Sequence, residues 1–222
     1  MGNCAIIRIE VIILRDIPMF TTENGIATLI LREIPTKQTA YIHLQSSQEP
    51  EKLLSECVDF CRAAGAEKIY ATGHACLEKY SLFTTIISMR GSGDNVGESD
   101  FCLFPVIDKT WAEFCKVYNE KMASVPTANT LRLLDREKYE KGAYFVHKEG
   151  ILQGIGIVEG NRILAIAACQ KGAGREILAA LCKVLPNDIL LDVAENNLPA
   201  VKLYTRCGFL KTGELARWYK IL

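Results

Sequence analysis

The chain has 222 residues, 49% of them apolar, which fills one large domain or two small ones and excludes a disordered segment. Its 26 basic and 26 acidic side chains cancel, so it lacks the basic excess of a nucleic-acid binder. The nine cysteines are scattered through apolar stretches and form no Cys-x-x-Cys pair, and His43, His74 and His147 are far apart. Such cysteines read as small hydrophobes of a reducing, cytoplasmic setting, with no metal-ligand pattern and no disulfide framework.

The opening "MGNCAIIRIEVIIL" has the Met-Gly start of a myristoylation signal, but Ile6 stands where Ser or Thr belongs. Arg8 and Glu10 interrupt its apolar run, so it predicts a strand over "AIIRIEVI" and no membrane span. "GIATLILREI" and "TAYIHLQ" predict a hairpin around "PTK". In "EPEKLLSECVDFCRAAGAEK" the period changes: Leu53, Leu54, Val58, Cys61 and Ala64 share a helical face, and Gly65 stops it. "KIYATG" and "FTTIISM" predict strands. "RGSGDNVGESD" is rich in glycine, serine and acid, so the expected division is a domain over 1–92, a linker over 93–100 and a domain over 101–222.

The second half predicts a strand at "CLFPVI" and a helix over "DKTWAEFCKVYNEKMASV", capped by Asp108 or Thr110, with Trp111, Phe114, Val117, Tyr118 and Met122 on its apolar face. "TANTLRLLDREKYEKG" predicts a second amphipathic helix. "GAYFVHK", "ILQGIGIVEG" and "RILAIAAC" predict three strands joined by tight turns. A helix over "REILAALCKVL", a strand at "DILLDVA", a short helix over "LPAVKLYTRCG" and a strand at "GELARWYKIL" complete the chain. Both halves run hairpin, helix, strand, so the first reads as a decayed version of the second.

"AACQKGAGREILAAL" sets glycines where a strand passes into a helix. A helix N-terminus offers unpaired N–H groups and about half a positive charge. Glycine lets an anion approach that backbone, and Lys171 and Arg175 add full charges, which together suit a pyrophosphate. The Walker pattern is absent, and Ile177 fills the third glycine position of the dinucleotide fingerprint. On these residues alone a structural turn and a phosphate site stand level.

Downstream, "NLPAVKLYTRCGF" sets Asn197, Ala200, Leu203, Tyr204, Gly208 and Phe209 at fixed offsets. Together with "CQKGAG" it resembles the GNAT superfamily of N-acetyltransferases. There a Gln/Arg-x-x-Gly-x-Gly/Ala loop precedes Asn-x-x-Ala-x-x-Leu-Tyr and Gly-Phe. The resemblance covers roughly residues 100–222, and the order of elements from Phe101 onward fits it. It implies an α+β, three-layer fold: a mixed, mostly antiparallel sheet with one splayed parallel strand pair, flanked by helices. A tandem of a degenerate and a complete domain follows if the first half is included. "GAEKIYATGHACLEKYSLF" has Leu77 and Tyr80 near the Leu-Tyr positions, but no Gly-Phe follows.

The resemblance further implies acetyl-CoA as co-substrate. Gly172, Ala173, Gly174 and Arg175 would lie on its pyrophosphate, with Lys171 beside them. Backbone at Ile166 and Ala168 would pair with the pantetheine, and Asn197 would hold the cofactor arm or the helix start. Tyr204 would protonate the departing thiolate, a phenol of pKa about 10 facing a thiol of about 8.5–10. The plain alternative is a packed core tyrosine. Cys169 stands at the family's Gln/Arg position and could in principle carry an acyl group, but has no histidine partner. For the general base Glu195 and Glu159 are the nearest carboxylates, both also readable as solvated turn residues. The expected function is acetyl transfer to a primary amine, on a small molecule or a peptide, by a monomer or homodimer with no nucleic-acid or membrane partner. A catalytically weak acyl-CoA-binding or sensor protein is the alternative, and an interaction domain without cofactor is a third.

Overall fold

The computed structural model describes residues 16–222; the strand expected over "AIIRIEVI" and the Met-Gly-Asn-Cys opening lie outside them. The chain divides into two units. One runs to Ser81 and takes in Tyr219–Leu222; the other is Leu82–Trp218.

In the first unit, β1 (Ile17–Thr22) and β2 (Gly25–Ile30) form an antiparallel hairpin. β1 accommodates Pro18 because, among the described residues, it lies at the edge of the sheet, where a missing N–H costs no ladder bond. β2 pairs with β3 (Thr39–Ser47). The expected "PTK" gap is one helical turn, α1 (Ile34–Lys37), closed by Gln38 at φ 52°. α2 (Pro50–Ala63) starts on a proline that has no helical N–H to lose, and Gly65, at φ 97°, ends it. Its Leu53, Leu54, Cys57 and Cys61 are buried against Ala27, Leu29, Ile42 and Ile69, each leucine contributing about 1.5–3 kcal/mol. β4 (Lys68–Thr72) then runs parallel to β3, paired from Thr39–Lys68 through to His43–Thr72.

The second unit contains most of β5 (Ser81–Gly91), α3 (Gly93–Val96), β6 (Cys102–Pro105) and α4 (Asp108–Met122). It continues with α5 (Arg136–Tyr139), β7 (Ala143–Lys148), β8 (Ile151–Glu159) and β9 (Arg162–Ala168). α6 (Gly174–Cys182), β10 (Ile189–Ala194), α7 (Leu198–Arg206) and β11 (Leu210–Lys220) complete it, the last residues of β11 belonging to the first unit. Strand order here is β11-β5-β10-β9-β8-β7-β6, with β9 and β10 the parallel pair. The sheet is mixed and flanked by helices, as expected.

Two expectations are corrected. Residues 93–100 are folded into the second unit rather than linking domains. Ser92 Oγ accepts the Asp94 N–H at 3.2 Å, starting α3, and Val96 is buried with Leu178 and Leu191. The Lys183 ammonium donates to the Ser99 carbonyl, and Asp100 pairs with Lys148 at 2.9 Å. One apolar residue among many polar ones thus suffices to anchor the stretch. The helix expected over 127–142 is also not continuous: Leu133–Asp135 and Glu140–Gly142 are 3₁₀ turns flanking α5. Side chains of α4 capture this backbone first. Asn119 Nδ2 donates to the Leu131 carbonyl and Oδ1 accepts its N–H, both at 2.8 Å, while Trp111 Nε1 donates to the Leu133 carbonyl at 3.1 Å.

The β7-β8-β9 meander, α6 and parallel β10 repeat the order β1-β2-β3, α2 and β4. The pairing differs. β9 and β10 meet only at Arg162–Leu190 and Ile163–Leu191, whereas β3 and β4 stay together along β4.

Candidate active site

The opening between β9 and β10 has a local cause. Val158 of β8 faces Ile163, but Ile157 faces Ala165, so Leu164 is an extra residue in β9. Such a bulge bends its strand. It falls where β9 leaves β10, one residue past the last paired residue, Ile163. Beyond it β9 stays with β8, Ala167 opposite Ile155 and Ala168 opposite Gly154, while β10 stays with β5, Val193 opposite Ile87. The facing edge of β9 carries backbone donors and acceptors that require partners.

The loop after β9 is tied down before the glycines. The Gln153 carbonyl accepts the N–H of Cys169 at 2.7 Å and of Gln170 at 3.2 Å. The two glycines serve different needs. Gly172 lies at φ 86° with open space where a side chain would project. At Gly174, the first residue of α6, a Cβ would stand 3.2 Å from Leu203 Cδ2, so glycine lets α6 approach α7. The first turn of α6 leaves backbone amides without helical partners.

A cavity of about 650 Å³ occupies this place. β9 contributes Ile166 and Ala168, the glycine turn Gly172, Gly174 and Arg175, and α7 its Asn197 and Tyr204. These seven of the ten expected site residues come together. Lys171 is exposed and Ala173 buried, and neither is on the wall. Glu195 is not on it either: its carboxylate pairs with Lys211 at 3.3 Å and its N–H donates to the Thr85 carbonyl. Glu159 is exposed in the β8–β9 turn. The missed wall residues include Lys121 and Met122 from α4, Asn95 and Val96 from α3, and Arg206 from α7. Helical periodicity identified α4 as amphipathic but not which end meets the glycine turn. Arg206 sits at a position the motif leaves free.

Among the described residues the cavity wall carries three cations, Lys121, Arg175 and Arg206, and no carboxylate or imidazole. Lys121 pairs with Glu120 at 2.8 Å, and Arg175 pairs with Glu176 at 2.5 Å through Nη1 while its Nη2 donates to the Val96 carbonyl at 2.8 Å. Arg206 makes no described ion pair or hydrogen bond. This field suits an anion and opposes a second cation.

Tyr204 is buried beside Phe209, ring centroids 6.0 Å apart, and burial pushes its phenol up to about 12. That departs from the ordinary phenol expected from sequence. The same desolvation raises any thiol sharing the cavity, so the two acids move together. The turn before α7 is pinned: Thr84 Oγ1 donates to Asn196 Oδ1 at 2.8 Å, and Asn196 Nδ2 donates to the Phe83 carbonyl at 3.1 Å. Burial raises the Cys169 thiol, with Lys121 pulling it down, so it is not an activated nucleophile.

These features fit coenzyme A: an open strand edge for its amides, a glycine turn and cations for its phosphates. Among the described residues no helix is long and apolar enough to cross a membrane.

Residues 111–209 match the model of the Acetyltransferase (GNAT) family. No curated protein matches the sequence. Among solved structures, the chain is similar to a GCN5-related N-acetyltransferase from Sphaerobacter thermophilus, at 12% identity and TM-score 0.56, covering 88% of this chain and 75% of that one. It is similar to a conserved protein of unknown function from Staphylococcus epidermidis, at 12% identity and TM-score 0.60, covering 90% and 91%. It is also similar to a tandem GNAT protein from the clavulanic acid biosynthesis pathway, at 14% identity and TM-score 0.52, covering 89% and 78%. At these identities the likeness establishes the fold. The chain has a GNAT-like fold, and residues 111–209 of it match the GNAT family model.

Proposed function

We propose that the protein transfers an acetyl group from acetyl-CoA to a primary amine by direct attack. The observation that carries this is the single opening between β9 and β10, which leads from a free strand edge to a cavity with three cations, no carboxylate and a buried phenol. Acetyl-CoA would supply an activated thioester. Gly172, Gly174 and Arg175 would hold its diphosphate, with Lys171 adding charge at the turn's outer side and Ala173 fixing the turn from beneath. Backbone at Ile166 and Ala168 would bind the pantetheine, and Asn197, whose side chain makes no capping bond, is free to assist. Tyr204 stays protonated at neutral pH and donates its proton toward the sulfur as the thiolate leaves. Alignment in the slot supplies most of the rate.

With no carboxylate or histidine on the wall, the amine gives up its proton to water before attack, and the cationic field favours its neutral form. The same absence supports a second reading, an acyl-CoA-binding protein with little turnover. In either case the first unit reads as a GNAT-like repeat whose described parallel strands, β3 and β4, stay paired along β4.

The test is calorimetric titration with acetyl-CoA of the natural protein and Gly172→Asp, followed by thiol release with a panel of small amines and peptides. The aspartate would project into open space, and Asp tolerates positive φ better than most residues. Binding lost in a folded variant, with amine-dependent thiol release by the natural protein, supports transfer. Binding without release selects the second reading. No binding by the folded natural protein refutes both.

A further inference from the structure

Arg175 stands in the first turn of α6, where a long side chain on a helix surface would ordinarily sample many rotamers. Here it is held. Its Nη2 donates to the Val96 carbonyl at 2.8 Å and its Nη1 pairs with Glu176 at 2.5 Å, which leaves further N–H donors of the guanidinium for a ligand. Burial raises the Cys207 thiol and the Arg175 charge draws it down, so the guanidinium lies between α3 and the end of α7. The Val96 carbonyl is itself a fixed acceptor. The Val96 side chain is buried with Leu178 and Leu191, and Asn187 Nδ2 donates to Asp94 Oδ2 at 3.1 Å. On the other side of α3, a Cβ at Gly208 would stand 3.1 Å from Asn95. Gly97 follows at φ 86°, and a Cβ there would stand 2.7 Å from Arg175 Nη2. That atom ends a flexible side chain, so the guanidinium rather than the backbone would give way. The whole turn precedes residues 111–209, so the family match does not include it.

Resting on the function proposed above, we infer that Gly97 and the Val96 carbonyl are positioning elements of the donor site, holding the Arg175 guanidinium in the cavity for the donor's diphosphate. Ordering a long side chain before the ligand arrives removes that cost from the binding step. The segment between β5 and β6 thereby sets donor affinity from outside the stretch that carries the motifs. Glycine at 97 serves twice, by its positive φ and by the space it leaves to Nη2. The competing role is structural: Arg175 ties the turn down, and backbone amides with the other cations hold the donor.

The experiment is calorimetric titration of the full chain with acetyl-CoA, in a double-mutant cycle of Gly97→Ala and Arg175→Gln. Gly97→Ala should bind about fivefold more weakly, the upper end of one exposed charge contact, and Arg175→Gln likewise. The double variant should bind no more weakly than Arg175→Gln alone, because the glycine acts only through the guanidinium. Gly150→Ala carries the same backbone strain, at φ 79° with open space around a Cβ, and should bind as the natural protein does. Should Gly97→Ala not fold, Val96→Ala loosens the turn without adding an atom beside the guanidinium, and the same loss is expected, absent again from the Arg175→Gln background. Natural affinity in Gly97→Ala or in Arg175→Gln overturns the inference, and so does a loss that persists undiminished in the Arg175→Gln background, while the acetyl-CoA site stands in each case. Failure of the folded natural protein to bind acetyl-CoA overturns the proposed function and this inference with it.

Discussion

Two glycines of β8 set how closely α6 approaches the sheet, and they separate stability from the site. A Cβ at Gly156 would overlap the side chain of Leu181; a Cβ at Gly154 would overlap Ile177 and also the Ala167 carbonyl of β9. Leu181 is a buried side chain that can shift within its core, so Gly156→Ala carries an overpacking cost of about 1–3 kcal/mol. Alanine returns about 0.5–1 kcal/mol by restricting the unfolded strand, leaving a net loss of about 1–2 kcal/mol. At Gly154 the obstacle is backbone, and relieving it moves the end of β9 that forms the cavity wall. Gly154→Ala should therefore cost about 3 kcal/mol or more and abolish acetyl-CoA binding, while Gly156→Ala keeps binding within a few-fold. Both tryptophans, Trp111 and Trp218, belong to the Leu82–Trp218 unit, so urea unfolding followed by tryptophan fluorescence reports that unit. Equal stability losses in the two variants, or normal binding by Gly154→Ala, would refute the argument that backbone contact at β9 is what matters.

Tyr204→Phe should retain acetyl-CoA binding and lower kcat by about 10²–10³, the range of a general acid, in a thiol-release assay. Because burial holds the phenol near 12, kcat/KM of the natural protein should rise with pH as the amine deprotonates and show no fall below pH 10, the ordinary phenol value; a descending limb between pH 7 and 9 that vanishes in Tyr204→Phe would contradict this. The same raised pKa stabilises the fold fully below pH 10, and that contribution, about 3 kcal/mol, is lost as pH climbs toward 12. Circular dichroism should accordingly show alkaline unfolding of Tyr204→Phe to be less steep by one proton.

The elements around the site were legible because each announces itself locally. The three strands of the meander, the helix after Gly174 and the motif face of α7 fall where their periods and glycines put them. What failed did so through distant partners. Residues 127–142 have helical spacing, yet Asn119 and Trp111 claim their carbonyls from another helix. Residues 93–100 have linker composition, yet Val96 finds a core and Arg175 takes its carbonyl. Likewise Gly172 and Tyr204 could be read from spacing, whereas Lys121 and Asn95 reach the cavity only through tertiary packing. Leu164 gave no sign at all, since a bulge exists only relative to the strand beside it.

Net charge misled in a similar way. The chain sums to zero, and Asp188 pairs with Arg90, Asp192 with Arg162 and Glu214 with Lys211 and Arg217, while Glu120 and Glu176 pair with the wall cations Lys121 and Arg175. Among the described residues the cavity wall itself holds cations and no carboxylate, and this makes salt a discriminating variable. Hydrogen bonds from the α6 first turn are short-ranged and weakly screened, whereas Lys121, Arg175 and Arg206 act on phosphates through a field that decays over about 10 Å at 0.1 M salt. Three such exposed contacts, at about 0.2–1 kcal/mol each, sum to about 1–3 kcal/mol, so raising salt from about 0.02 to 0.5 M should weaken acetyl-CoA binding by about five- to a hundredfold. An affinity unchanged across that range, measured by calorimetry, would mean that the glycine turn and the β9 edge hold the donor by backbone alone and that the cations are bystanders.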